Sequence, residues 1–174
     1  LNFESGIMRG HFSPLDGQLY VSGLRVWQSS GAKTGALHRV RYTGKPVAMP
    51  TELHVKPNGL EITFTTALDP KTANDDGNWA VDQWNYNWTA NYGSKMYSVK
   101  EPGEVIGENK INNTKFGGED LVVKSAKLLA DKKTVFLEVE GGVKPVMQMR
   151  IRMNINAADG TPINLPIYNT VNKV

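Results

Sequence analysis

The stretch MQMRIRMNI, residues 147–155, constrains the fold more than any other part of this sequence. Its apolar side chains occupy every second position, at Met147, Met149, Ile151, Met153 and Ile155. Residues 59–65 and 133–139 alternate in the same way. Because successive side chains of a strand point to opposite faces, this pattern predicts strands half buried in an antiparallel sheet.

Turn-forming residues separate the predicted strands. They occur at residues 57–59 (PNG), 130–133 (ADKK) and 159–160 (DG). The one helix-like segment spans residues 69–74, where Asp69 suits the N-cap and Pro70 the first helical position. Several short strands with regular turns predict an all-β fold of the sandwich type.

Composition excludes several classes of partner and site. The net charge is +3, and the lysines and arginines are scattered, which does not favour nucleic-acid binding. The absence of cysteine excludes disulfides, thiolate zinc sites and cysteine nucleophiles. No stretch reaches the roughly 18 to 20 apolar residues that span a bilayer. We therefore expect neither nucleic-acid binding nor membrane insertion.

A Gly-Lys-Pro sequence at residues 44–46 suggests a division of the 174-residue chain. We predict a β-hairpin extension over residues 1–45, with strands near 18–26 and 36–42, and a β-sandwich over residues 46–174. Residues 100–120 lack periodicity and are rich in Gly, Asn, Glu and Lys, which predicts a long solvated loop.

Residues 59–162 carry an ordered series of motifs. A strand ending in FT is followed by DPKTA, an aromatic strand, VKSAKLLADKKTVFLEV and ADGTPI. In this order the motifs resemble the bacterial Ig-like domains of surface-layer and large exported proteins. The resemblance implies an Ig-like or fibronectin-like antiparallel β-sandwich that spaces, supports or binds, without catalysis of its own.

The segment RGHFSPLDGQLYVSGLRVWQ, followed by GALHRVRYTGKPV, carries a second resemblance. It is similar to the closing blade of the β-propellers in PQQ-dependent, glucose/sorbosone-dehydrogenase-like proteins. In multidomain proteins of the Planctomycetes and Verrucomicrobia type, that blade leads into a domain with segments like WNYNWTANYGS and PVMQMRIRMN. The resemblance implies that residues 1–45 are a remnant of the last blade. It also implies that the chain is the C-terminal part of a larger exported protein acting on sugars.

Residues 78–97 are unusually rich in aromatic side chains. On an extended strand Trp84, Tyr86 and Trp88 share one face at a spacing of about 6.6–7 Å, and such rings can stack on the apolar face of sugars. The opposite face presents amides that can hydrogen-bond to hydroxyl groups. The candidate carbohydrate-binding residues are Trp79, Trp84, Tyr86, Trp88, Tyr92, Gln83, Asn85 and Asn87.

The same rings can instead form the core, because Ig-like sandwiches commonly bury an aromatic side chain on a central strand. In that interpretation the alternating amides face solvent. Trp88 and Tyr92, near the strand end and the following loop, are the members expected to be exposed. Both interpretations remain open from the sequence.

No catalytic constellation is recognisable. His11, His38 and His54 are scattered, and none accompanies a nucleophile motif. We therefore predict no catalytic residues, no enzymatic activity and no transition-metal site. Acidic turns can hold calcium, so a structural calcium ion is considered near Asp75 and Asp76, with no other cofactor expected.

The function expected from these features is that of a non-catalytic accessory module of a bacterial protein. We expect it to be secreted, periplasmic or on the cell surface, and to bind polysaccharide through its aromatic surface. The alternative is a structural domain that braces the propeller of a PQQ-type sugar dehydrogenase.

Overall fold

Strands dominate the structure, a computed structural model that describes residues 3–25, 31–90, 93–107 and 118–174. The chain divides into two compact units, Leu1–Pro46 and Val47–Val174. Antiparallel sheets build both units, so the predicted all-β class is confirmed.

The N-terminal unit is one antiparallel sheet, in the order β1-β2-β3. Its strands are β1 (Ile7–Phe12), β2 (Leu19–Leu24) and β3 (Gly35–Val40). The predicted hairpin corresponds to β2 and β3, and β1 adds a third strand that has no clear alternation in the sequence. Phe12, Leu19 and Val40 lie side by side across the three strands, and Phe12 is exposed.

The second unit contains the remaining elements. Its strands are β4 (Pro50–Lys56), β5 (Gly59–Phe64), β6 (Trp79–Trp84), β7 (Met96–Tyr97), β8 (Val105–Gly107), β9 (Glu119–Leu121), β10 (Val123–Leu128), β11 (Thr134–Val139), β12 (Val146–Met153), β13 (Ile155–Asn156), β14 (Pro162–Ile163) and β15 (Pro166–Val171). Helix α1 (Pro70–Ala73) and a 3₁₀ turn (Asp76–Asn78) connect β5 to β6. The predicted cap is confirmed, since the Asp69 side chain accepts a hydrogen bond from the Lys71 amide.

Two four-stranded antiparallel sheets form the sandwich. The first has the order β10-β11-β5-β4 and the second the order β15-β12-β6-β9. In the lettering of the Ig fold these are D-E-B-A and G-F-C-C′, where β9 is the additional C′ strand. The topology is therefore that of an Ig-like sandwich.

The core lies between the two sheets. Alternation places Leu60, Ile62 and Phe64 of β5 inward, and it does the same for Val135 and Leu137 of β11. From the second sheet the core receives Val81, Met149, Ile151 and Met153. The apolar periodicity of the sequence thus identifies the strands that face each other, because period-two burial requires one covered face.

Gly59 begins β5 where a side chain has no room. A Cβ built there would lie 2.1 Å from the Leu137 carbonyl oxygen and 2.7 Å from the Phe136 ring. The glycine is therefore required by the close approach of β11, in addition to its role in the preceding turn.

One position of the strongest pattern departs from expectation. Met147 is exposed, whereas the neighbouring Val146 is buried. The pairing of β12 with β15 shifts its register between Val146 and Met149, and an irregularity of this kind re-aims the side chains beside it.

The long solvated loop predicted over residues 100–120 is wrong in part. Residues 105–107 form β8, which pairs with β7, and residues 119–121 form β9 on the edge of the second sheet. The turn before β8 is held by Glu119, whose carboxylate accepts hydrogen bonds from the Ser98 hydroxyl and from the amides of Val99 (2.7 Å) and Lys100 (3.1 Å). Residues 108–117 lie outside the described part of the chain.

Candidate functional site

Trp79 belongs to the core. Its indole is 5% exposed, meets the Phe64 ring edge-on at 6.5 Å, and donates a hydrogen bond of 3.2 Å to the Ala73 carbonyl oxygen. This buried ring joins α1 to β6 and is closed to solvent. Its predicted role as a sugar-stacking residue does not fit this position.

Trp84 is also buried, at 2% exposure, but on the other side of the same sheet. Val81 and Gln83 pair with Ile151 and Met149 of the core, so Trp84, at an alternate position, points the other way. Its burial contradicts a role as an exposed stacking residue. Gln83 is buried on the core side and is therefore unavailable as a polar partner for a sugar.

The predicted row of three aromatic rings on one strand is not formed. Strand β6 ends at Trp84, and the backbone of Asn85 then pairs with Tyr97 through hydrogen bonds of 2.8 and 2.9 Å. Beyond this bridge the chain leaves the sheet. Tyr86 is half buried, and Tyr92 lies outside the described residues.

Trp88 is fully exposed, which makes it unlike the other tryptophans at described positions. The segment that carries it is tied back on itself: the Asn87 amide donates to the Ser94 hydroxyl (3.1 Å), and the Thr89 hydroxyl donates to the Gly93 carbonyl (3.1 Å). A bulky indole is therefore presented to solvent from a closed loop. We call the described residues of this segment, 85–90 and 93–97, the tryptophan loop.

A shallow depression of about 230 Å³ adjoins the base of the tryptophan loop. The Asn85 side chain accepts a hydrogen bond from the Met147 amide at 3.0 Å, and the Tyr86 amide lies 3.2 Å from the Met147 sulfur. The lining residues are Asn85, Pro145, Val146, Met147, Thr170, Val171 and Asn172. The lining thus combines apolar and polar side chains, as is usual in small-ligand sites.

The side of the second sheet that points away from the core, here called the outer face, carries a row of polar side chains. Asp120, Asp82, Arg150 and Tyr168 lie directly opposite one another across β9, β6, β12 and β15. Arg150 donates to Asp82 from Nε (2.9 Å) and from Nη2, and Asp82 is buried. This hydrogen bond, opposed by burial, raises the pKa of Arg150 above its ordinary value.

Asp82 is a functional candidate that the sequence does not single out, because it stands within an aromatic-rich segment. Arg150 and Arg152 occupy alternate positions of β12 that point away from the core, but the carboxylate they face lies on β6, 68 residues from Arg150. Only the strand register reveals such a pair, so the sequence contains no local signal for it.

The histidines and the acidic turn show no shared geometry. His54 lies 3.3 Å from Glu52, and the His38 ring meets Phe3 edge-on at 5.5 Å. Asp75 caps the 3₁₀ turn by accepting from the Gly77 amide at 3.0 Å. Across the described ranges, no three His, Asp or Glu side chains group in a way that could hold a metal ion. The calcium site near Asp75 and Asp76 remains a prediction.

Among the described residues, no helix is long and apolar enough to cross a membrane. A comparison of the chain with protein-family models, curated proteins and solved structures finds no match.

Proposed function

We propose that this chain is a non-catalytic accessory module of an exported bacterial protein, and that it binds polysaccharide through Trp88. The observation that carries the proposal is the complete exposure of that indole on a closed loop. Covering a large exposed apolar ring with a ligand is favourable, and rigid aromatic side chains provide contact area at low entropic cost.

The surroundings of Trp88 suit a sugar chain. Asn87 is exposed beside it, and Met147 presents an exposed thioether at the base of the loop. Thr170 and Asn172 add polar groups to the lining of the adjoining depression, and the Thr170 hydroxyl, which donates to the Met147 carbonyl oxygen at 2.8 Å, can still accept a hydrogen bond. Stacking on the ring and hydrogen bonding to neighbouring amides are the two interactions that a pyranose offers. The binding surface proposed here thus keeps Trp88 and Asn87 of the predicted platform, and replaces the buried members with the depression beside Asn85.

Native affinity electrophoresis of the full chain on a panel of neutral and acidic polysaccharides tests this proposal. At least one glycan is expected to retard the protein, and Trp88→Ala is expected to abolish most of the retardation. Truncating a central tryptophan of an interface costs at least about 2 kcal/mol, roughly thirtyfold in affinity.

Tyr42→Ala is the matched control, because Tyr42 is an exposed aromatic residue of the N-terminal unit. It should migrate like the unmodified chain on every gel. If no glycan slows the migration of the protein, the proposal is contradicted. If Trp88→Ala and Tyr42→Ala lose retardation equally, Trp88 is not the residue through which the chain binds.

A second candidate function is supported by the N-terminal sheet. The row of Phe12, Leu19 and Val40 leaves apolar surface uncovered, with Phe12 67% exposed. This observation favours the alternative of a structural domain that braces a propeller, since uncovered apolar patches mark contact surfaces. Sedimentation of the chain at increasing concentration should show association that Phe12→Ser weakens, and ideal monomeric behaviour throughout would argue against it.

A further inference from the structure

Arg152 is the more loosely paired of the two arginines that face Asp82 on the outer face. The buried carboxylate of Asp82 is already occupied by two hydrogen bonds from Arg150, and Arg152 reaches the same carboxylate only at 3.7 Å. Its side chain is 50% exposed. Among the described residues this long contact is the one ion pair of Arg152, whose guanidinium carries five N–H donors.

The Arg152 side chain borders a depression of about 320 Å³. The size is at the lower end of the range for small-ligand sites. Ala80 and the exposed Val122 contribute apolar surface, and Asp120 lies on the wall formed by β9. The lining residues are Trp79, Ala80, Val81, Asp120, Leu121, Val122, Val123 and Arg152.

The depression is therefore lined by three kinds of group, namely a guanidinium, a carboxylate and small apolar side chains. A planar guanidinium suits a carboxylate, because its fork of donors matches two oxygens. An aspartate can accept hydrogen bonds from hydroxyl groups. Small apolar side chains between them suit the CH face of a sugar ring.

We infer that this depression binds a uronic acid unit, with Arg152 as the receptor for the sugar carboxylate and Asp120 as an acceptor for its hydroxyls. The inference rests on the proposed function, since it names acidic polysaccharide as the substrate class of the module. It concerns a surface separate from Trp88, because none of the residues that line this depression belongs to the tryptophan loop.

Charges of both signs surround the site. Asp82 and Asp120 face Arg150 and Arg152, and Glu119 offsets the charge of Lys100, whose ammonium donates to the Asp120 carbonyl oxygen at 3.1 Å. The Asp82 carboxylate stays 3.7 Å from Arg152, so a sugar carboxylate offers this guanidinium a closer counter-charge, which a neutral sugar does not.

The test compares galacturonate with galactose, which share a ring and differ at the carboxyl carbon. Chemical-shift titration of the full chain labelled with ¹⁵N is expected to move the Arg152 Nε signal and the Val122 amide with galacturonate only. Arg152→Gln should weaken binding of galacturonate roughly ten- to hundredfold, the range for a charge-assisted hydrogen bond. Arg152→Lys should be intermediate because it keeps the charge and loses the fork.

Lys127→Gln is the control of equal charge, since Lys127 is exposed on the first sheet. It should leave the titration unchanged. Equal shifts with galactose and galacturonate overturn the inference, as does equal weakening by Arg152→Gln and Lys127→Gln.

Affinity gels containing polygalacturonate separate this inference from the proposed function. Retardation by neutral glycans alone, lost in Trp88→Ala, supports the binding module and refutes the acidic site. A carboxylate-specific titration of Arg152 without retardation on any gel keeps the uronate site and refutes polysaccharide binding. Retardation on polygalacturonate that Arg152→Gln removes supports both.

Discussion

Arg150 holds Asp82 through two hydrogen bonds that cross from β12 to β6 on the face of the sheet opposite the core. The Asp82 side chain is 5% exposed, and the Arg150 side chain is 18% exposed. Gly118 lies close enough that a Cβ there would be 3.0 Å from an Asp82 oxygen. The Asp82 carboxylate thus lies between Arg150 and Gly118. Removing one charge of this pair would leave the other partly buried without a counter-charge, which is costly.

Replacing Asp82 with Asn should destabilise the sandwich by about 3 kcal/mol, because it leaves the partly buried Arg150 without its counter-charge. Urea unfolding followed by circular dichroism measures this loss. Asp120→Asn makes the same chemical change on the neighbouring strand at an exposed position, and should cost less than about 0.5 kcal/mol. Similar unfolding midpoints for the two variants would show that the pair contributes little.

Trp79→Phe should reduce the free energy of unfolding by about 1–2 kcal/mol. The substitution removes the indole N–H that donates to the Ala73 carbonyl and leaves a small void between α1 and the core. Trp88→Phe is the paired control, since the same change at a fully exposed site should alter stability by only a few tenths of a kcal/mol. A larger loss for Trp88→Phe than for Trp79→Phe would contradict the burial of these rings.

The hydrogen bonds between the Glu119 carboxylate and the turn before β8 should make the free energy of unfolding depend on pH in the acid range. Burial disfavours the Glu119 carboxylate, but hydrogen bonds from Ser98, Val99 and Lys100, with the charge of Lys100, more than offset it. They lower its pKa below the ordinary value of 4.5. The folded state therefore binds fewer protons than the unfolded state. The stabilisation is present above the unfolded pKa and is lost as pH falls through the folded pKa.

Glu119→Gln should lower the unfolding midpoint at neutral pH and flatten the decline of stability below about pH 4.5. Thermal unfolding at a series of pH values measures both effects. Glu101→Gln alters an exposed carboxylate in the same turn and should preserve the slope. An unchanged acid slope in Glu119→Gln would assign the pH dependence to other groups.

The fragment 47–174 should fold without the N-terminal unit. Every residue of the continuous hydrophobic core lies between Leu60 and Val171, so removal of residues 1–46 takes away no core side chain. An amide NMR spectrum as dispersed as that of the full chain, with cooperative urea unfolding, is expected. A collapsed spectrum would show that the sandwich depends on the sheet that precedes it.

The sequence identified the strands that face the core, because alternation at Ile62, Leu137 and Ile151 depends only on each strand's own side chains. It could not decide which face of β6 carries Trp84, since both faces of that strand are buried there. Nor could it locate the exposure of Met147, which depends on an irregular pairing with β15. The exposure expected of Trp88 was confirmed, because the aromatic run continues past the end of the strand.

The polar pairs of the outer face were beyond prediction for a different reason. The alternation of its own strand predicts that Arg152 faces solvent, and its side chain is half exposed. Its loose pairing with Asp82 is visible only when Asp82 and Arg150 are placed side by side by the register of β6 and β12. A candidate site that depends on pairing between distant strands requires the fold before it can be recognised.

The chain passes repeatedly from one sheet of the sandwich to the other, and this path affects how the protein folds. Thr63 meets Thr134 at the centre of one sheet, 71 residues away, and Asp82 meets Arg150 at the centre of the other, 68 residues away. Neither central pairing exists until a synthesising ribosome has released most of the chain. Strand β5 can pair at once with β4, but its other edge waits for β11, and both edges of β6 wait for β9 and β12. Closing two such long loops favours slow folding, in milliseconds to seconds. The nascent chain therefore passes through a long interval in which the central strands of the sandwich are made but lack partner strands on one or both edges.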